Sequence, residues 1–183
     1  MPPFEESGLR VTLPEVGSFR FSACATYHRL SGRQVTEMDV GWWDEARQAI
    51  YLLEIKDYSR HEAKKDLRSN LIAKGRDCLV MLHASWRDVS DVGRALLREL
   101  PERCRTPQRL RLFFVLKDGD AGHAKELIPA IKDDLENHIK AYAELLGMGR
   151  LDVVLLDHVK AIEKGLPITV IEPLAPVPPP PPT

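Results

Sequence analysis

The spacing of the apolar residues changes near residue 58, and this change constrains the fold more than any other feature of the chain. Before it, residues 18–29, 34–43 and 50–57 alternate polar and apolar side chains or are rich in β-branched and aromatic types, as β-strands are. The connections between these segments are short. They therefore predict an antiparallel three-strand meander.

After residue 58 the apolar residues recur every three or four positions, which predicts a helix over about 60–86, with Ser59 as its N-cap. Further helices and strands alternate beyond it. The helices are predicted at Val89–Leu100 and Ala124–Leu146, and the strands at Leu110–Leu116, Leu151–Leu156 and Ile168–Ile171. Strands first and then alternating elements predict an α/β (α+β) fold, a mixed sheet flanked by helices.

Length and composition place this fold in one domain. The chain has 183 residues, of which 44% are hydrophobic and 29% charged, so we expect a single α/β domain over residues 1–172. Residues 173–183 are proline-rich and are predicted to be a disordered tail. Pro178–Pro182 favour polyproline II, and this tail could instead bind a protein partner.

Several classes of protein are disfavoured. No apolar run approaches the ~20 residues of a membrane span, and the N-terminus has no signal-peptide pattern, so we expect a cytoplasmic protein without membrane contact. Three widely spaced cysteines predict buried free thiols rather than disulfides or a zinc site. The net charge of −1 requires that any contact with nucleic acid use a local basic patch.

The segment 50–57 carries charges where a buried strand is predicted. Because side chains alternate between the two faces of a strand, Leu52, Glu54 and Lys56 share one face. Burying charged groups is costly unless they pair or bind a metal. Glu54 and Lys56 therefore indicate either an ion-pair cluster or a functional site.

The preceding segment supplies a partner for Glu54. If Trp43 pairs with Ile50, the same register sets Asp39 opposite Glu54. Facing side chains lie ~5 Å apart at Cβ, and two carboxylates this close repel each other unless a cation lies between them. Mg²⁺ prefers such oxygen ligands.

An Asp on one strand and Glu-x-Lys on the next resembles the PD-(D/E)XK nuclease superfamily, here as Asp39 and Glu54-Ile55-Lys56. The resemblance implies a restriction-endonuclease-like core, with Asp39, Glu54 and the Ile55 carbonyl as ligands of Mg²⁺, or of Mn²⁺ in its place. It implies that Lys56 positions the attacking water, and that the reaction is hydrolysis of a phosphodiester, in DNA more than RNA. Two departures are that residues 1–17 do not read as a helix and that Met38 stands where the family often has proline.

Basic and aromatic side chains near this motif are the predicted substrate contacts. They are Lys64, Lys65 and Arg68 at the start of the predicted helix, and Tyr27; Trp42 and Trp43 could stack on bases.

Other interpretations stay open. The charges of the motif could form a cross-strand salt-bridge set with Glu37–Lys56 as its pair, and the basic helix could be a solvated face. The whole chain could be a catalytically inactive binding or scaffolding subunit, a homodimer, or a subunit joined to a partner through its proline-rich tail.

Overall fold

The computed structural model describes residues 1–58, 64–117 and 121–171. Its larger sheet has five strands in the order β3-β4-β5-β6-β7. These strands are β3 (Ser18–Phe19), β4 (Val40–Asp44), β5 (Ala49–Asp57), β6 (Arg109–Lys117) and β7 (Leu151–Asp157). Strand β4 is antiparallel to β3 and to β5, and β5, β6 and β7 are parallel to one another. The predicted mixed sheet is therefore confirmed.

A second, smaller sheet joins the two ends of the described chain. It consists of β1 (Phe4–Glu6), β2 (Leu9–Val11) and β8 (Ile168–Val170), all antiparallel, with β2 in the middle. The sequence did not predict β1 and β2, because each has only three residues, too few to show a period.

Most of the helices cover one face of the five-stranded sheet, and the small sheet with one short helix covers the other face. The helices are α1 (Ala25–Ser31), α2 (Lys64–Arg87), α3 (Asp91–Glu99), α4 (Ala121–Leu145) and α5 (His158–Glu163). One apolar core joins α2, α3 and α4 to Leu52 and Phe114, and a second joins the small sheet and α5 to Leu53 and Phe113. None of the described helices is both long enough and apolar enough to cross a membrane.

The prediction of a strand over 18–29 was wrong beyond its first residues. After β3 the chain makes a 3-10 turn at Phe21–Ala23 and then forms α1. The start of α1 is held from outside, since the Glu99 carboxylate of α3 accepts hydrogen bonds from the backbone N–H (3.0 Å) and the hydroxyl of Thr26. A cap supplied from 73 residues away leaves no local signal in the sequence.

The predicted second strand, 34–43, begins only at Val40. The backbone before it bonds to α2 instead of to a strand. Thr36 N–H donates to Asp77 Oδ2 at 3.0 Å, and Met38 N–H points to Cys78 Sγ at 3.2 Å. These helix side chains take the place of a neighbouring strand.

The remaining elements follow the predicted order. Strand β5, helices α2 to α4 and strands β6 to β8 lie within a few residues of their predicted bounds, whereas the short helix α5 was not predicted. The predicted cap Ser59 and the tail 173–183 lie outside the described residues. Gly75 does not interrupt α2, since the helix packs closely there: a Cβ on Gly75 would lie 2.7 Å from Ile139 and 3.2 Å from Phe114. The three cysteines are buried and free, as expected.

Candidate active site

Two carboxylates from β5 and the segment before β4 form the centre of the candidate site. The register between the strands is the predicted one, with Trp43 opposite Ile50 and Val40 opposite Leu53. Regular pairing ends at Val40, so Asp39 is the next residue along and its side chain turns toward β5. Glu54 is 2% exposed although it is an acid.

The side chain of Asp39 hydrogen-bonds to the backbone of β5 just beyond the last regular strand pair. Its Oδ2 accepts a hydrogen bond from the backbone N–H of Ile55 at 2.7 Å. Its own carbonyl accepts from Arg20 Nε at 3.0 Å. Asp39 is thereby fixed beside the Glu-x-Lys segment, as the sequence predicted, through a side chain-to-backbone bond rather than a strand pair.

Lys74 of α2 is the residue that the sequence reasoning missed. Its Nζ lies 2.6 Å from Glu54 Oε1 and 3.8 Å from Asp39 Oδ1. A usable signal was present: Lys74 follows Leu71 by three residues and precedes Cys78 by four, so it borders the apolar face of the helix. A lysine placed there needs an anionic partner in the core.

Asp39, Glu54 and Lys74 shift one another's pKa values. Burial, and then the Asp39 charge, raise the pKa of Glu54 to about 8, against the opposing effect of Lys74. Burial also raises the pKa of Asp39, against the opposing effects of the Ile55 hydrogen bond and Lys74. For Lys74, burial acts to lower the pKa, but Glu54 and Asp39 outweigh it and raise the pKa. A proton on Glu54 or a nearby cation therefore stabilises the cluster near neutral pH.

The donor set is compatible with a divalent metal. Glu54 Oε2 is buried and has no hydrogen-bond partner among the described residues, so one strong oxygen ligand is unused. Glu6 of β1 adds further negative charge felt by both carboxylates. Within the described part of the chain, no group of three or more His, Cys, Asp or Glu side chains is arranged to hold a metal. Mg²⁺ needs only one or two carboxylates when waters and phosphate oxygens complete its shell.

Lys56 and Glu37 do not face each other across paired strands, because the regular pairing of β4 with β5 ends at Val40. Lys56 is half-buried and, by alternation, lies on the same face of β5 as Glu54. Glu37 precedes β4, and its carboxylate accepts a hydrogen bond from the hydroxyl of Tyr27. Tyr27 itself is on α1 and is 4% exposed, so its ring belongs to the core.

None of the contacts among the described residues links a predicted substrate-binding side chain to Asp39 or Glu54. Arg68 of α2 forms an ion pair with Asp134 of α4. The side chains of Lys64 and Lys65, at the start of α2, lie outside the described part of the structure. Trp42 and Trp43 are 5% and 8% exposed, and each packs in one of the two opposite cores.

Comparison of the chain with protein-family models, with curated proteins and with solved structures finds no match. The residues of the site are therefore the basis on which a function can be proposed.

Proposed function

We propose that this protein is a metal-dependent nuclease that hydrolyses phosphodiester bonds, with DNA as its substrate, through a site of the PD-(D/E)XK type. The observation that carries the proposal is the pair of buried carboxylates, Asp39 and Glu54, brought together from two elements with one Glu54 oxygen unpartnered. Burying two carboxyl groups side by side is costly unless one of them holds a proton or a cation compensates them.

The topology around the pair supports the same proposal. Asp39 precedes an antiparallel strand, Glu54 and Lys56 lie on the next, and a long helix then leads to a parallel strand. The resemblance to the superfamily implies this order of elements. Glu54 also lies near the carboxyl end of β5, and ligands of open α/β sheets bind at this end of the strands.

In this proposal Asp39 and Glu54 hold Mg²⁺ or Mn²⁺ together with the carbonyl of Ile55. The N–H and C=O of one strand residue point to the same neighbouring strand, so the Ile55 carbonyl leaves β5 on the edge where its N–H meets Asp39. When bound, the metal would polarise the phosphate and activate water. Lys56 orients the attacking water, and Lys74, released from Glu54, neutralises charge that develops on the phosphate.

The test is cleavage of plasmid, single-stranded DNA and RNA with Mg²⁺ or Mn²⁺. We expect Asp39→Asn, Glu54→Gln and Lys56→Met each to lose at least about a hundredfold in rate, the usual effect of removing one preorganised charge. Glu37→Gln is the matched control, an acid two residues from Asp39 that is engaged with Tyr27. It should retain most of the activity. Folded wild-type protein that cuts no substrate with either metal would contradict the proposal.

One observation favours a second function, a binding or scaffolding subunit without catalysis. The Lys74 ammonium, 2.6 Å from Glu54, is itself a cation that can compensate the carboxylates. A subunit of this kind would bind DNA equally well with and without a chelator, and Lys74→Met would lower its stability without affecting any metal dependence. A nuclease would bind Mn²⁺ in a manner that requires Glu54.

A further inference from the structure

A cleft lies on the other face of the five-stranded sheet, away from the carboxylate pair. Its volume is about 570 Å³. Tyr51, at the start of β5, forms part of its floor, and by strand alternation Tyr51 and Glu54 point to opposite faces. The two sites are also about 10 Å apart along the strand, at ~3.3 Å per residue. The cleft is therefore separate from the proposed nuclease site.

An arginine is held in a fixed position at the floor of this cleft. Arg111 donates from Nη1 to the Tyr51 hydroxyl at 2.8 Å, and its Nε lies 3.2 Å from Asp152 Oδ2. Its guanidinium lies over the rings of Tyr51 and Phe113, 5.3 and 5.2 Å from their centroids. About a quarter of the side chain, 25%, stays exposed. A guanidinium held this way loses little entropy when it binds an anion.

Two further cations stand on the walls. Arg47, in the turn between β4 and β5, and Lys164, in the turn after α5, are both exposed and both line the cleft. The acid among the lining residues is Asp44, which Arg47 already contacts at 3.3 Å. With Asp152 beside Arg111 also counted, three cations face two carboxylates, and the cleft has an excess of positive charge.

The remaining wall of the cleft is apolar. Trp42, Leu166 and Pro167 line it. Clefts of roughly 300–1,000 Å³ suit ligands of drug or cofactor size, whereas a free phosphate would leave most of this volume unfilled. A fixed arginine and two exposed cations beside an apolar wall fit a ligand with a charged group at one end and a flat ring at the other.

We propose that this cleft binds a nucleoside 5′-monophosphate, an anion that carries a planar base. The phosphate lies between Arg111, Arg47 and Lys164, and the base packs against the wall formed by Trp42 and Pro167. The proposal does not depend on nuclease activity, since it uses none of the residues of the carboxylate site.

The test is calorimetric titration of the full chain with AMP, CMP, adenosine and inorganic phosphate. We expect one of the two monophosphates to bind at least about tenfold more tightly than adenosine or phosphate, because each of these retains only half of the contacts. Arg111→Met and Lys164→Met should each weaken the binding about tenfold, the usual effect of losing a charge-assisted contact. Lys164 is exposed, so its variant keeps the test valid if Arg111→Met fails to fold.

Arg109→Met is the matched control. Arg109 is on the same strand as Arg111 and contacts the same Asp152 carboxylate, at 2.6 Å, but it is not among the residues that line the cleft. Its variant should bind as wild type does, and so should Asp39→Asn, which separates this result from the nuclease proposal. Absence of monophosphate binding at millimolar concentration, or binding that neither Arg111→Met nor Lys164→Met weakens, would overturn the inference. Phosphate binding as tightly as AMP would also overturn it.

Discussion

Replacement of Lys74 by methionine should destabilise the protein by an amount that grows with pH. At 2.6 Å from Glu54 the ammonium gains roughly 6 kcal/mol of gross Coulomb energy at an effective dielectric of about 20. Desolvation of both groups offsets much of this energy, and the Lys74 side chain retains 29% of its exposure. Breaking a buried pair costs about 3–5 kcal/mol, and the partial exposure places Lys74→Met at the lower end, about 3 kcal/mol at about pH 9.

The pH dependence follows from the raised pKa of Glu54, about 8 in the folded wild type. At about pH 5 the carboxyl is protonated in the folded state with or without Lys74, so the loss should fall to about 1 kcal/mol. Above pH 8 the variant must either leave Glu54 charged beside Asp39 or bind a proton from dilute solution. The loss therefore rises across this window.

The assay is urea unfolding of wild type, Lys74→Met, Glu54→Gln and the double variant at both pH values. At about pH 9 the coupling between the two positions should be about 2 kcal/mol. Lys140→Met is the control, because its Nζ lies 2.5 Å from Glu136 in an exposed pair and should cost no more than about 0.5 kcal/mol. A coupling below about 0.5 kcal/mol, or a loss equal at both pH values, would refute the assignment of Lys74 as the internal counter-ion.

Three further expectations concern stability. Glu54→Gln should gain on wild type by roughly 3 kcal/mol between about pH 5 and pH 8 in urea unfolding. The raised pKa of Glu54 (about 8) makes the folded wild type favour the protonated carboxyl, so wild type loses that stability as pH rises; a constant difference would contradict this reading. Gly93→Ala should cost about 2 kcal/mol by the same assay, since its Cβ would lie 2.3 Å from the Ala84 carbonyl oxygen, whereas Gly149→Ala, with nothing within 4 Å, should be neutral. Ser90→Ala should lower the thermal midpoint, with a loss of about 1 kcal/mol, because its hydroxyl accepts from Gly93 N–H at 3.0 Å at the start of α3.

The parts of the fold that the sequence predicted are those whose signal is local. Strand β6 contains a continuous apolar run, and the apolar residues of the long helix α4 recur every three or four positions. The register of β4 on β5 was also predictable, because a short turn between Trp43 and Ile50 leaves few ways to pair them.

The parts that the sequence did not predict depend on distant partners. Helix α1 is capped by Glu99, and the segment before β4 bonds to Asp77 and Cys78 of α2. The same reason explains the site. Asp39 and Glu54 could be paired from the strand register, whereas Lys74 reaches them only because α2 packs across this face of the sheet.

The small sheet has a consequence for how the chain is made. Strand β2 has β1 on one side and β8 on the other, so residues 9–11 are synthesised long before their second neighbour, residues 168–170. Until β8 arrives, the growing chain presents an open strand edge and the uncovered apolar side chains Leu9 and Val11, both fully buried in the finished fold. A chain released from the ribosome before residue 168 would therefore have an adhesive N-terminal hairpin, and stalled synthesis would lead to aggregation rather than to a smaller stable protein.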